Sequence, residues 1–249
     1  MRIVFLTTDD PFYLPAFFDR VLAVRGRETA LVAVVPPLYG KQTVPQAAWR
    51  YFRTFGLGDT IQLAARTGLA KARSRSIASA CTRQGVPHAV VRDVNAPEFL
   101  SELRSLGTDL IVSVSCPQIF RAPLIELPEK GCLNIHGAIL PQYRGIMPSF
   151  WMLANGERQA GVSIYFVNEQ IDAGDLCGQR IFDISPTETL DAFLTRSKRI
   201  AAELLLETLD EVEGGTVEAS PLDLTQGSYF SWPDREAVAR FRAGGRRLW

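Results

Sequence analysis

Short apolar runs alternate with helical segments along the first half of this chain, and this alternation limits the possible folds most strongly. Buried strands are predicted at residues 2–7, 29–35, 88–92 and 109–115, and helices at residues 17–26 and 96–106. Strands that alternate with helices pair in parallel through right-handed crossovers. The sequence therefore predicts an α/β fold with a mostly parallel, twisted sheet and helices on both faces.

The second half of the chain predicts an antiparallel hairpin and a long helix. Residues 161–166 and 176–183 are the two strands of the hairpin. The run Ser185-Pro-Thr-Glu188 has the pattern of a helix capping box with proline at the first helical position. Apolar residues then follow with helical spacing to Val212, and Gly214 and Gly215 end the helix. A short strand is predicted at 221–224, and the basic tail 244–249 is predicted to be frayed.

The composition disfavours several functional classes. Lys and Arg together number 27, as do Asp and Glu, so no overall field favours nucleic acid or an anionic membrane as partner. The four cysteines are widely separated, which indicates neither a zinc site nor a disulfide framework. The first apolar run is too short for a signal peptide, and no segment has transmembrane length. We therefore expect a cytoplasmic protein.

Residues 131–145 carry the first functional motif. Asn134 and His136 lie two apart at the end of a predicted strand, so their side chains project from the same face. Open α/β sheets bind ligands at such strand ends. His136 could serve there as a general acid or base, or it could be a buried histidine bonded to a backbone carbonyl. This stretch alone favours neither interpretation.

The connection within the predicted hairpin carries the second motif. Asp172 and Asp175 flank an Ala-Gly pair in Ile171-Asp-Ala-Gly-Asp175. Aspartate is common in tight turns, so this motif is weak evidence of function when taken alone.

Taken together, the two motifs resemble a known family. The order Asn-x-His-x-x-x-Leu-Pro-x-x-x-Gly, then Ile-Asp-Ala-Gly-Asp, is similar to the folate-dependent formyltransferases. These include glycinamide ribonucleotide transformylase, methionyl-tRNA formyltransferase and the sugar N-formyltransferases, and the resemblance spans residues 107–213. It implies a Rossmann-like formyltransferase fold, a catalytic domain over residues 1–215 and a short extension, 216–249, that is not an independent domain.

The resemblance also implies roles for particular residues. Asn134, His136 and Asp172 correspond to the family's catalytic residues, and 10-formyltetrahydrofolate is the implied formyl donor, with no metal. The implied donor contacts are Gln118, Ile119, Phe120, Val167 and Ile171. One departure from the family pattern is Ala138, where a serine is usual.

The acceptor amine has to be argued separately. No Gly-x-Gly-x-x-Gly loop follows the first strand, which disfavours glycinamide ribonucleotide. Balanced charge and a short C-terminal region disfavour methionyl-tRNA. We therefore expect a small-molecule amine, best a nucleotide-linked amino sugar. Its expected contacts are Asp9, Asp10, Phe12, Tyr13 and Tyr143, although residues 9–13 could equally form an ordinary helix-capping loop.

Other functions stay open at this point. The acceptor could be a peptide or a secondary-metabolite amine, water could replace the amine as in formyltetrahydrofolate hydrolases, or the chain could be a non-catalytic folate-binding module. An apolar, helical insertion follows the second strand, and together with the aromatic C-terminal segment it could form a homodimer surface. Its basic residues, Lys71, Arg73 and Arg75, are followed by Arg83. They could attract a phosphate or nucleotide diphosphate, or form a solvated helix face.

Overall fold

The computed structural model describes residues 1–36 and 42–249, which form nine strands and nine helices. The strands are β1 (Ile3–Thr8), β2 (Thr29–Val35), β3 (His88–Val90), β4 (Leu110–Val114), β5 (Cys132–His136), β6 (Arg144–Gly145), β7 (Gln159–Phe166), β8 (Leu176–Asp183) and β9 (Tyr229–Phe230). The helices are α1 (Leu14–Arg25), α2 (Val44–Phe55), α3 (Leu57–Ala72), α4 (Ile77–Gln84), α5 (Pro97–Ser105), α6 (Ala122–Ile125), α7 (Pro148–Ala154), α8 (Leu190–Gly214) and α9 (Arg235–Ala243).

One sheet of seven strands organises these elements, in the order β3-β2-β1-β4-β5-β7-β8. The first five of these strands pair in parallel, whereas β7 runs antiparallel to both β5 and β8. Strands β1 and β4 are buried on both faces, which explains their continuous apolar runs. The predicted α/β fold with its mostly parallel sheet is confirmed.

Helices cover both faces of the sheet. On β1, Ile3 and Phe5 face a core formed with α1, α4 and α8, while Val4 and Leu6 face a second core that includes α5. Successive residues of a strand point to opposite faces, so both layers draw on the same short strand. In the part of the chain that the structure describes, no helix combines the length and apolar character needed to cross a membrane.

The long helix α8 forms as predicted, but its start was predicted wrongly. It begins at Leu190, after Thr189, whose side-chain oxygen accepts a hydrogen bond from the backbone N–H of Ala192. The predicted capping residue, Ser185, lies at a turn instead, and Glu188 pairs with Arg196 at 2.7 Å. Two cap-like sequences stand close together here, and Thr189 supplies the cap in the folded chain.

The C-terminal segment packs against the main body. The rings of Phe150 on α7 and Phe241 on α9 stack with centroids 5.0 Å apart. The expected fraying of the tail is wrong, since Leu248 is buried and the carbonyl oxygens of residues 247 and 248 accept hydrogen bonds of 2.9 Å from Leu190 and Asp191. The first turn of a helix has N–H groups without helical partners, and the tail satisfies two of them. The strand predicted at 221–224 is also absent from the described structure, where residues 224–226 form a 3₁₀ turn.

The helical insertion contributes little to the core. Phe55 at the end of α2 is fully buried between α7 and the C-terminal segment, but Trp49 and Ile61 are exposed. The insertion therefore lies mainly on the surface and does not cover the sheet.

Candidate active site

A large cavity of about 690 Å³ opens at the carboxyl ends of β4 and β5. Parallel strands end at the same edge of a sheet, so their last side chains meet there. The loops after β1 and β4 and the connection between β7 and β8 complete the wall. Asn134, His136 and Asp172 all line this cavity, so the structure brings together the three residues that the sequence singled out.

Tyr165 joins two of these residues, and the sequence analysis missed it. Its hydroxyl accepts a hydrogen bond from Asn134 Nδ2 at 2.9 Å and donates one to Asp172 Oδ1 at 2.8 Å. The antiparallel register of β5 and β7 places Asn134 directly opposite Tyr165. Burial raises the pKa of the Tyr165 hydroxyl, and the Asp172 carboxylate raises it further. The hydroxyl therefore stays protonated and fixes the orientation of the Asn134 amide.

His136 is held from one side by the backbone. Its Nε2 lies 2.8 Å from the carbonyl oxygen of Tyr143, and a carbonyl can only accept, so Nε2 carries a proton. Its Nδ1 lies 3.6 Å from Asp172 Oδ1. The interpretation of His136 as a buried histidine bonded to a backbone carbonyl therefore holds for Nε2, while Nδ1 faces the Asp172 carboxylate and leaves the acid–base interpretation as a prediction.

Asp172 connects the two sequence motifs. It adopts a left-handed backbone conformation (φ 49°), and its Oδ2 accepts a 2.7 Å hydrogen bond from the backbone N–H of Gly145. Gly145 itself has φ 97°, and a Cβ there would lie 2.2 Å from the carbonyl oxygen of Phe230. Only glycine fits this position, so the last residue of the first motif is required to hold the carboxylate of the second.

The loop at the end of the first motif is clamped by the C-terminal segment. β6 pairs with β9, the backbone N–H of Tyr143 donates to Ser228 Oγ at 2.9 Å, and that of Ile146 donates to the Phe230 carbonyl at 2.8 Å. The rings of Tyr143 and Phe230 stack with centroids 5.1 Å apart. Residues 228–230 therefore fix the carbonyl that binds His136 and the N–H that binds Asp172.

All five residues expected to contact the donor line the large cavity: Gln118, Ile119, Phe120, Val167 and Ile171. Ile119 and Ile171 are 64% and 42% exposed and offer apolar surface at the mouth, whereas Phe120 is buried. The Gln118 side chain bonds to the backbone of residues 92 and 94, at 2.6 and 2.9 Å. It therefore fixes the loop, and its side-chain amide is already occupied.

The five residues expected to contact the acceptor do not share one location. Asp10 and Tyr13 line the large cavity, Phe12 borders a neighbouring cavity, and Asp9 is exposed without lining either. The Asp10 carboxylate accepts hydrogen bonds from the backbone N–H groups of residues 12 and 13, which precede α1, so Asp10 orders an ordinary loop but does not cap the helix. Burial raises its pKa, and the nearby Lys198 opposes this effect.

The prediction for Tyr143 was wrong with respect to its side chain. The ring is buried against Phe230, and its hydroxyl donates to Glu157 at 2.5 Å, away from the large cavity. A left-handed backbone conformation at Tyr143 (φ 58°) turns the side chain into the core while its carbonyl faces His136. Ala138, the departure from the family pattern, is also fully buried in this core and does not line the large cavity.

Lys198 is a further residue of the site that sequence reasoning missed. It projects from α8 into the large cavity, where its Nζ donates to Ser115 Oγ at 2.9 Å. Burial lowers its pKa, and the Asp10 carboxylate opposes that shift. A lysine that lies among the leucines of an amphipathic helix gives no local sign that its side chain lines a cavity.

Comparisons with known proteins bear on the family of this chain. Residues 61–209 match the family described as formyl transferase. A methionyl-tRNA formyltransferase from Geobacter metallireducens is 37% identical over 139 residues, which cover 56% of this chain and 45% of that protein. The chain spans a little under half the length of the first curated relatives that it matches.

Solved structures share the fold at lower identity. An N-formyltransferase from Helicobacter canadensis, in complex with folinic acid and dTDP-3-aminofucose, is 16% identical with a TM-score of 0.60, covering 93% of this chain and 71% of that one. Glycinamide ribonucleotide transformylase 1 from Symbiobacterium toebii is 18% identical with a TM-score of 0.62, covering 90% and 94%. Because the family match extends over more than half of its residues, this chain belongs to the formyl transferase family.

Proposed function

We propose that this chain transfers a formyl group from 10-formyltetrahydrofolate to the primary amine of a nucleotide-linked amino sugar. The observation that carries the proposal is the set formed by Asn134, Tyr165 and Asp172, which are joined by hydrogen bonds, with His136 Nδ1 3.6 Å from Asp172 at the wall of the large cavity. Membership of the formyl transferase family supports the type of reaction.

The large cavity suits a folate donor. A volume of about 690 Å³ lies in the range of small-molecule sites, which combine apolar walls with a few convergent polar groups. Ile119, Phe120, Val167 and Ile171 would hold the flat ring system, and backbone groups of the loop fixed by Gln118 would contact its polar edge. When bound, 10-formyltetrahydrofolate supplies the formyl group.

Asn134 is suited to stabilise negative charge. Tyr165 binds one N–H of the side-chain amide and leaves the second N–H available within the cavity. A donor that is oriented in advance costs no reorganisation when an oxygen beside it becomes charged.

His136 is suited to collect the proton of the attacking amine and to pass it to N10 of the departing tetrahydrofolate as the bond between N10 and the formyl group breaks. Its Nε2 keeps the proton that it donates to the Tyr143 carbonyl, so Nδ1 is the atom that accepts. Asp172 then faces a protonated imidazole and stabilises its charge, while the Gly145 N–H and the Tyr165 hydroxyl hold the carboxylate in place. Histidine can carry out this exchange near neutral pH.

Two observations bear on the acceptor. The Asp10 carboxylate lies in the wall of the large cavity, where it could contact an amine, and the Tyr13 ring lines the same cavity while its hydroxyl donates to Asp191 at 2.9 Å. A solved enzyme of similar fold was crystallised with an amino-sugar nucleotide. The curated relatives are methionyl-tRNA formyltransferases, which favours methionyl-tRNA as the second candidate.

Calorimetry tests the donor and the acceptor in turn. We expect a stable, non-transferring analogue of 10-formyltetrahydrofolate to bind saturably to the full chain, and one member of a panel of aminosugar nucleotides to bind more tightly once the analogue is present. Absence of analogue binding to folded protein would contradict the donor assignment. Binding of methionyl-tRNA in place of every aminosugar nucleotide would replace the acceptor with the second candidate.

The hydroxyl of Tyr165 gives a sharper test of the site. Replacing Tyr165 by phenylalanine keeps the ring but removes the shared partner of Asn134 and Asp172, so we expect turnover to fall about tenfold, the effect of losing one hydrogen bond to a charged group. Affinity for the donor analogue should not change. The matched control is Tyr51→Phe, since Tyr51 packs on Phe55 at 4.6 Å outside the cavity. Equal turnover in the two variants would show that the Tyr165 hydroxyl does not contribute to the reaction.

A further inference from the structure

A second cavity lies beside the large cavity and has a similar volume, about 710 Å³. Its wall is strongly basic. The two cavities share Tyr13 and Lys198, so they adjoin at these side chains. Among the described residues, its cationic lining comprises Arg20, Arg66, Arg75, Arg196, Lys198 and Arg199, against one lining carboxylate, Asp191. We call this space the cationic cavity.

Neighbouring carboxylates compensate only part of this positive charge. Glu203 lies 3.1 Å from Arg20 and 3.5 Å from Arg199, so one acid serves two arginines. Arg196 and Arg66 each have one acidic partner, Glu188 and Asp191 respectively.

Arg75 remains as an additional positive charge, whereas Lys198 has the Asp10 carboxylate nearby. Arg75 is exposed and makes no ion pair within residues 1–36 and 42–249, and the Lys198 ammonium bonds to the neutral Ser115 hydroxyl. The chain as a whole carries no net charge, so this excess is local.

The surface insertion supplies part of the basic wall. Arg66 on α3 bonds to Asp191 at 2.5 Å, and its guanidinium lies 4.4 Å from the Trp249 ring centroid and 5.5 Å from that of Phe12. A guanidinium held by a carboxylate and an aromatic ring is fixed in position, and its remaining N–H groups stay available to a ligand.

The basic run of the insertion is divided in the folded chain. Arg75 lines the cationic cavity, whereas Arg83 forms a surface pair with Asp19 at 2.9 Å. Lys71 and Arg73 are exposed and lie outside the lining. The solvated-face alternative therefore holds for Lys71 and Arg73, and the phosphate-binding alternative stays a prediction for Arg75 alone.

We propose that the cationic cavity binds the diphosphate of a nucleoside-diphosphate-linked acceptor, whose amine then enters the large cavity past Tyr13 and Lys198. This inference rests on the proposed transferase function and assigns a place to the charged part of the acceptor. Phosphate oxygens match the planar donors of arginine. The cations converge on one recess from α1, α3 and α8, which suits a compact diphosphate better than the extended backbone of an RNA.

The test titrates the full chain with UDP and, separately, with inorganic pyrophosphate. We expect both to bind saturably and more weakly as salt is raised. Arg75→Gln should weaken UDP binding about tenfold, the effect of losing one charge-assisted contact. Arg73→Gln is the matched control, since it removes the same charge from the same segment outside the cavity. Both side chains are exposed, so both variants should keep the thermal midpoint of the parent.

Several outcomes would overturn the proposal. These are no binding of UDP to folded protein, equal weakening by Arg75→Gln and Arg73→Gln, or binding of methionyl-tRNA without UDP. A titration with the folate analogue in the same preparation distinguishes the hypothesis of a diphosphate site from the hypothesis of a folate donor. Donor binding without UDP binding refutes only the cationic cavity, whereas Arg75-dependent UDP binding without donor binding supports the cavity and refutes the donor.

Discussion

Replacing His136 by alanine should lower the turnover of formyl transfer by about 100-fold or more, because it removes the group that exchanges the proton with the attacking amine. The chain should still fold. The ring of His136 lies at the edge of the large cavity, so its removal leaves space next to an existing opening rather than a void in the core. The Tyr143 carbonyl loses its partner, which costs about 1–3 kcal/mol in the free energy of unfolding.

The chain provides its own control for this experiment. His88 is the other histidine of the chain. It is exposed on the edge strand β3, and two strands, β2 and β1, separate β3 from β4 and β5, where the large cavity opens. His88→Ala should leave turnover unchanged. Turnover assays on both variants test the role of His136, and circular dichroism and thermal melts show whether each variant is folded. A folded His136→Ala protein with near-parental turnover would refute the assigned role.

Replacing Gly174 by alanine should reduce turnover to a similar extent through the backbone. A Cβ at Gly174 would lie 1.7 Å from the carbonyl oxygen of Phe166. Only movement of the connection between β7 and β8 can relieve this contact. That connection carries Asp172, whose carboxylate is held by hydrogen bonds of 2.7 and 2.8 Å. A displacement of about 1 Å at a positioned group can cost about 100-fold in rate.

Gly68 is the matched control for the glycine substitution. It lies inside α3, and a Cβ there would meet no atom within 4 Å. Gly68→Ala should therefore raise the free energy of unfolding by about 0.5–1 kcal/mol and leave turnover unchanged. Urea titrations and turnover assays on both variants test the pair. A Gly174→Ala protein with parental turnover would show that the connection tolerates the added atom, which would contradict the tight contact described above.

The parts of the site that sequence reasoning predicted depend on local geometry. Asn134 and His136 share a face because they lie two apart on a strand, and Asp172 follows a strand whose turn residues are visible in the chain. The path of the tail and the true cap of α8 depend instead on contacts between distant segments, and two sequences near α8 can each serve as a cap. Local patterns do not encode that choice.

The residues that were missed or misplaced have one property in common. Their positions depend on contacts between segments that are distant in the chain. Tyr165 joins the site through the register of β5 and β7, which pairs it with a residue 31 positions earlier. Tyr143 leaves the site because a positive φ and a stacking partner at residue 230 turn its side chain inward. Arg66 and Lys198 meet at the cationic cavity from two helices that are distant in the chain. Neither the register nor the left-handed conformation at a non-glycine residue can be read from one sequence.

The clamp formed by residues 228–230 has a consequence for how the protein is made. The seven strands of the main sheet all precede residue 184, so the sheet can assemble on the ribosome before the C-terminal segment has emerged. The carbonyl that orients His136 and the N–H that holds Asp172 are fixed only after residues 228–230 have docked. During synthesis the scaffold therefore comes first, and the geometry of the candidate site is completed last.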